Sequence, residues 1–215
     1  MKSLIQKDLF NISHNAKPMI FMLLIFAFII IPSTDQNGYI VMSTLLCGMM
    51  VITSFSFDEH SKWNQYALIM PVSKKDLVAG KYIILFITTL VGAISGFLFA
   101  SIGGIVFGKI NLQADTFLQL LFVALAAAMI SIISGSTTIA LVFQFGAEKG
   151  RLLLLLSYLL PATICLAVYK GLLKIGIHIT DTFIFSLICC LPIIALIWSY
   201  CMYKISCFIF LRKEV

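Results

Sequence analysis

Few residues in this chain could do chemistry, and their spacing excludes most of it. Gly80-Lys81 comes nearest to a phosphate-binding loop, but Tyr82 follows where Ser or Thr is required, and Lys75 stands where the first glycine should be. The chain therefore cannot hold ATP by that route. His14, His60 and His178 are too far apart for any two to form a ligand pair, and His60, beside Glu59, reads as a solvated helix-end residue. Six cysteines (Cys47, Cys165, Cys189, Cys190, Cys201 and Cys207) lie in apolar runs without a C-x-x-C pair and read as small buried hydrophobes. Gly135-Ser136 alone is not a nucleophile motif.

The elements that must carry these residues are membrane spans. The 215 residues are 61% hydrophobic and 11% charged, where soluble chains are about 25% charged. Several apolar runs exceed the ~18–20 residues that cross a bilayer. The expectation is an all-α, polytopic membrane protein with one domain of six spans over residues 18–215, at 18–31, 39–57, 82–108, 117–145, 152–169 and 182–211. Pro161 kinks the fifth span. Residues 32–38 form a turn. Residues 170–181 are too short to span and read as a re-entrant or interfacial piece. Residues 1–17 read as an interfacial helix. Leu4, Ile5, Leu9 and Ile12 share a face on which Asp8 intrudes, and Lys2, Lys7 and Lys17 can reach headgroups. A cleaved signal peptide is the rival, weakened because IIIPSTD offers no A-x-A site.

No Asp, Glu, Lys, Arg or His lies in the central stretch of any span. A charge at that depth costs about 2.5–3.5 kcal/mol on insertion scales and is kept where it is used. Its lack argues against a proton- or sodium-driven carrier. It argues equally against an intramembrane hydrolase, which needs an acid, a base or a metal ligand at depth. The formal charge of +6 comes from 15 basic and 9 acidic residues. With both termini on one side, that side holds Lys2, Lys7, Lys17, Lys62, Lys74, Lys75, Lys81, Lys149, Arg151, Lys204, Arg212 and Lys213, and the other holds only Lys109, Lys170 and Lys174. The positive-inside rule then places the termini in the cytoplasm and accounts for the charge without nucleic acid.

The longest polar interruption, residues 54–81, lies between the second and third spans. Trp63, Tyr66, Ala67 and Met70 fall at i, i+3, i+4 and i+7, one face of a short helix over 61–70. Ser61 can cap its start, and Pro71 ends it. Ser73 then opens a new helix with Asp76 three residues on, as in a capping box. Such a helix suits being pushed by another protein, and it equally suits lying on headgroups. In the third span Gly92, Gly96, Ala100, Gly104 and Gly108 recur every four residues, a stripe that lets another helix approach closely. Ala124 and Ala128 repeat the spacing in the fourth span. Hydroxyls in SIISGSTT, residues 131–138, can bond back to their helix or across to a neighbour. Cys47, Met49, Met50 and Thr53 on the second span are candidates for lining a path, with packing as the plainer role.

The order of these parts resembles the permease subunits of ABC-2-type exporters, in particular the compact bacterial six-span group that includes phenol-soluble modulin exporter permeases. MKSLIQKDL, FDEHSKWNQYALIMPVSKKDLVAGKY and FGAEKGR carry the resemblance, which with the span count covers essentially the whole chain. It implies that residues 1–17 are an elbow helix. Residues 62–70, within the segment 58–81, would be a coupling helix that docks on a cytoplasmic ABC ATPase, and Glu148, Lys149 and Arg151 a second contact. Two permease subunits, copies or paralogues, would flank a path lined by the second and fifth spans, closed outside by residues 170–181. That external segment is shorter than in the large eukaryotic members. ATP and Mg would be bound by the partner ATPase, with no cofactor in this chain.

Under this reading Ser61, Lys62, Trp63, Tyr66, Met70 and Pro71 form the coupling element, with Trp63, Tyr66 and Met70 as anchors. Uncharged spans rich in Phe, Met and Leu suit hydrophobic or amphipathic peptide cargo, with lipid also compatible. The membrane would be the plasma membrane, and abundant Ile and Lys with few Arg point to a bacterial source. Two rivals stay open: a non-transporting scaffold or sensor subunit, and an ATP-independent channel.

Overall fold

The computed structural model describes residues 2–14, 16–33, 35–63, 66–67, 73–108, 114–146, 149, 153, 156–159, 163, 171 and 181–212. Six helices organise them: α1 (Lys2–His14), α2 (Ala16–Ser33), α3 (Gln36–His60), α4 (Lys74–Val106), α5 (Ala114–Phe145) and α6 (Asp181–Arg212). Five, α2 to α6, are long and apolar enough to cross a membrane. Helix is the expected form, because a spanning segment must satisfy its backbone internally where there is no water. The fifth span expected at 152–169 and the piece at 170–181 lie largely outside the described residues.

The helices overrun the apolar runs read from the sequence. α2 carries Pro32 and Ser33 in its last turn, and α3 starts at Gln36, so the turn expected over 32–38 is much shorter. α3 runs to His60 rather than Phe57, and α4 starts at Lys74 rather than Tyr82. At ~1.5 Å per residue, the 33 residues of α4 reach about 50 Å against a hydrocarbon core of ~30 Å. α4 is therefore longer than a straight crossing needs.

α3 and α4 form the central antiparallel pair, and Gly92 and Gly96 of the small-residue stripe sit in their seam, whereas Gly108, expected to continue it, lies past the end of α4 at φ 64° with nothing within 4 Å of a Cβ placed there. A Cβ on Gly92 would lie 2.5 Å from Cys47 Cβ and 3.1 Å from Thr44 Cα, and one on Gly96 would lie 3.2 Å from Ser43 Cβ. Ala100 and Gly104 are buried further along. Ser43 Oγ donates to the Gly92 carbonyl at 3.2 Å, so the close approach also satisfies a buried hydroxyl. α5 packs across this pair, and α6 lies beside α5 and runs parallel to it. The parallel course is visible at both ends. Pro192 and Leu196 lie near Leu121 and Leu125, whereas the Phe210 ring is 5.2 Å from Phe143.

The core divides into two clusters. One holds Ile31, Tyr39, Ile40, Ala100, Leu120 and Ala124, at the end away from α1. The other, beside α1, gathers Ile12, Phe55, Val78, Tyr82, Phe143 and Phe210 among others. There Phe55 meets Phe143 edge to face at 5.1 Å, and Tyr82 OH pairs with Ser206 Oγ at 2.9 Å. The hydroxyls of Ser134, Ser136, Thr137 and Thr138 bond back to carbonyls three or four residues earlier. α2 is peripheral, with only Leu23 and Ile31 buried. Cys47 and Cys207 are buried thiols, but Cys190 and Cys201 are exposed on α6, which corrects the expectation that every cysteine is interior. The outward face of a lipid-facing helix is as apolar as its core face, so hydropathy does not tell the two apart.

Candidate functional site

The segment between α3 and α4 is built on a defined helix ending. Ser61 has helical angles (φ −83°, ψ −1°) and is the C-cap of α3 rather than the N-cap of a new helix. Its Oγ donates to the Phe57 carbonyl at 2.8 Å. Lys62 follows at φ 51°, the left-handed position that commonly closes a helix, and its N–H bonds Glu59 O at 3.1 Å. Trp63, Tyr66 and Ala67 are helical again. The segment closes on Ser73, extended at φ −74° and ψ 147°, whose Oγ accepts the Asp76 N–H at 3.1 Å. Met70 and Pro71 lie outside the described residues.

Beneath this turn four charges meet. Lys81 Nζ reaches Asp8 Oδ2 at 2.9 Å and Ser54 Oγ at 2.6 Å, and it also pairs with Asp58 Oδ2. Lys7 Nζ pairs with Asp58 Oδ1 and lies 3.0 Å from Asp8 Oδ1. That last contact is off hydrogen-bond geometry, so Asp8 Oδ1 is held by charge alone. Asp8 and Asp58 are 4% exposed and Lys81 is 6% exposed. Two carboxylates and two ammoniums make the cluster neutral, the condition under which charges are tolerated away from water. Aromatic rings close it. Lys81 Nζ lies 4.9 Å from the centre of Phe55, and Lys7 Nζ lies 4.4 Å from that of Trp63. A cavity of about 20 Å³ sits among these groups, room for one water.

This geometry redistributes the residues singled out from the sequence. The face shared by Trp63, Tyr66 and Ala67 is not one surface. Trp63 is half-buried over Lys7, Ala67 is fully buried, and Tyr66 is 60% exposed. Lys7 and Lys81, expected at the headgroups and among the surface charges, are committed to the cluster. The buried face of α1 is Leu4, Asp8 and Ile12, so Asp8 is its centre and not an intruder. Asp8, Ser54, Asp58 and Lys81 do not stand out as a group in the sequence, because each looks like an ordinary residue near a span end. One signal was available: Leu4-Asp8-Ile12 and Ser54-Asp58 each run at i, i+4, which puts a carboxylate on an inward face.

The second polar loop comes to the same end. Gly146, at φ 88°, ends α5 through its N–H to Val142 O at 2.8 Å, and a Cβ there would lie 3.3 Å from Glu59 Oε1. Lys149 is exposed, while Glu148 and Arg151 lie outside the described residues. Of the path candidates, Met49, Met50 and Thr53 line a groove of about 500 Å³ between α2 and α3. The Thr53 hydroxyl bonds back to the Met50 carbonyl. Cys47 faces Gly92 in the α3–α4 seam instead.

Residues 3–211 match the family described as ABC-2 family transporter proteins. The chain belongs to the ABC-2 transporter family. No curated protein and no solved structure matches it. As an ABC-2 family chain it is a multi-pass membrane protein and a membrane transport component, and membership implies partnership with ABC ATPase subunits.

Proposed function

We propose that this chain is the permease subunit of an ATP-driven exporter and that the turn between α3 and α4 docks on a separate cytoplasmic ATPase. The observation that carries the reading is Tyr66, 60% exposed beside the fully buried Ala67, on a turn joined to two spans and underpinned by a neutral charge cluster. An exposed aromatic on a braced support is what a small docking contact needs. Lys149 stands at the same end of the bundle, near the C-terminus of α5, and supplies a second polar contact with Glu148 and Arg151. Both termini are cytoplasmic on this reading, and the ATP and Mg are held by the partner.

A sixth crossing lies between α5 and α6. It is supported by their parallel packing: Phe143 and Phe210 meet at the α1 end, whereas Pro192 and Leu196, earlier on α6, lie near Leu121 and Leu125, earlier on α5. Two consecutive helices that run parallel need a return crossing between them. Ser157 is buried against Thr138, partway along α5, where a crossing segment would pass. Two such permeases, copies or paralogues, would form the export path. The groove beside Met49, Met50 and Thr53 is apolar except for a hydroxyl already bonded to its own helix. That suits hydrophobic or amphipathic peptides.

Purification of the tagged chain from its native membrane in mild detergent tests this. A stoichiometric ATPase is expected with the wild type, and it should be lost with Tyr66→Ala. Absence of any ATPase while the chain stays folded would overturn the exporter reading.

A further inference from the structure

α1 buries two apolar residues fully and packs a third, Ile5, partly against the same core. Its buried apolar residues are Leu4 and Ile12, whereas Phe10, its largest side chain, is 76% exposed. Between Leu4 and Ile12 sits Asp8, and next to it Lys7, and these two contact both flanks of the neighbouring turn and Trp63 within it. Asp8 reaches Lys81 on α4. Lys7 reaches Asp58 in the last turn of α3 and lies over Trp63 in the turn itself. Lys81 in turn binds Asp58 and Ser54, so α3 and α4 are tied through the ammonium that holds α1. A buried ionic cluster is a poor source of stability compared with apolar packing of the same volume, because desolvation offsets the attraction. What it supplies is a fixed geometry among the elements that contribute the charges.

We propose that Lys7 and Asp8 are positioning residues that lock α1 to both flanks of the α3–α4 turn, so that α1 and the turn move as one body when the turn is pushed. Lys81 is the hub of the link and Asp58 its second anchor. The inference rests on the exporter reading for the origin of the push, but the link itself belongs to this chain alone.

The test is Asp8→Ala combined with Lys7→Gln. It removes one charge of each sign, keeps the remainder neutral and leaves the Lys81–Asp58–Ser54 contacts in place. Hydrogen exchange of the chain alone in lipid nanodiscs is measured first. Exchange in residues 2–14 should accelerate at least tenfold, with α3 and α4 unchanged. In the complex with its ATPase, hydrolysis should persist while export per ATP falls at least fivefold. Asp8→Glu, which keeps the charge, and Lys75→Gln, which removes an exposed lysine of the same end, should both stay within twofold of wild type. Unaltered exchange in α1 overturns the link, and unaltered export per ATP overturns its role in coupling. If the wild type captures no ATPase, the exporter reading has failed, and exchange in α1 still decides the link.

Discussion

Lys81 Nζ lies 2.9 Å from Asp8 Oδ2, and the two residues are 73 apart in the chain. This pair joins the first helix to a span that begins after two others have been laid down. Its second partner, Asp58, is 23 residues away on the helix before the turn. One ammonium therefore sets the relative positions of α1, α3 and α4.

Removing that ammonium should be among the most damaging single changes in the chain. Lys81→Met leaves Asp8 and Asp58 buried with only Lys7 between them, and breaking a buried pair in this way costs about 3–5 kcal/mol. A large drop in thermal midpoint in detergent is expected. Neutralising the carboxylates as well, with Asp8→Asn and Asp58→Asn, should recover most of it. A triple variant no more stable than Lys81→Met would show that the cost lies in packing and not in charge.

The α3–α4 seam gives a steric prediction. Gly92→Val places carbon where Cys47 Cβ and the Thr44 backbone stand, and overpacking of this kind costs about 1–3 kcal/mol. Gly38→Ala, with nothing within 4 Å of the new methyl, is the matched control. Comparable unfolding midpoints for the two would mean that the seam is looser than its geometry.

Ser73→Ala removes the acceptor for the Asp76 N–H and should cost about 0.5–2 kcal/mol, while Ser73→Asp should keep the cap. Thermal denaturation of both in the same detergent separates loss of the hydrogen bond from loss of the hydroxyl.

Tyr66 and Trp63 should respond differently. Tyr66→Ala is expected to abolish ATPase capture with an unchanged thermal midpoint, because the ring is exposed. Trp63→Ala should lower the midpoint as well, because its ring covers Lys7. Equal losses of capture at equal stability would place both rings on the docking surface.

Accessibility tests the membrane orientation. In a cysteine-free background, Tyr66→Cys and Lys149→Cys should react with a membrane-impermeant maleimide in inside-out vesicles and stay protected in whole cells. Labelling in whole cells would invert the topology.

Much of the fold was legible without coordinates because hydropathy is a one-dimensional property. Runs long enough to span, their order, the cap at Ser73 and the small-residue period of α4 all depend on neighbours within a few positions. The ends of the helices were less legible. α3 continues past Phe57 because Asp58 faces inward to Lys81, and Ser61 is drawn into that helix instead of starting the next. A capping residue reads the same from either side until the backbone angle is known. The aromatic pair of the turn divided for a similar reason: helical spacing puts Trp63 and Tyr66 near each other, but it does not say which of them faces α1.

By itself the sequence determined the solvent this chain folds in, the order of the apolar helices described, and the absence of a phosphate loop, since each follows from local composition and spacing. The tertiary structure alone decided that Lys7, Asp8, Asp58 and Lys81 form a single neutral cluster. Charges at the ends of helices can face water or one another, and the choice depends on which helix ends the packing brings together. Here the close α3–α4 approach over Gly92 and Gly96, with α1 laid across their ends, brings them within reach.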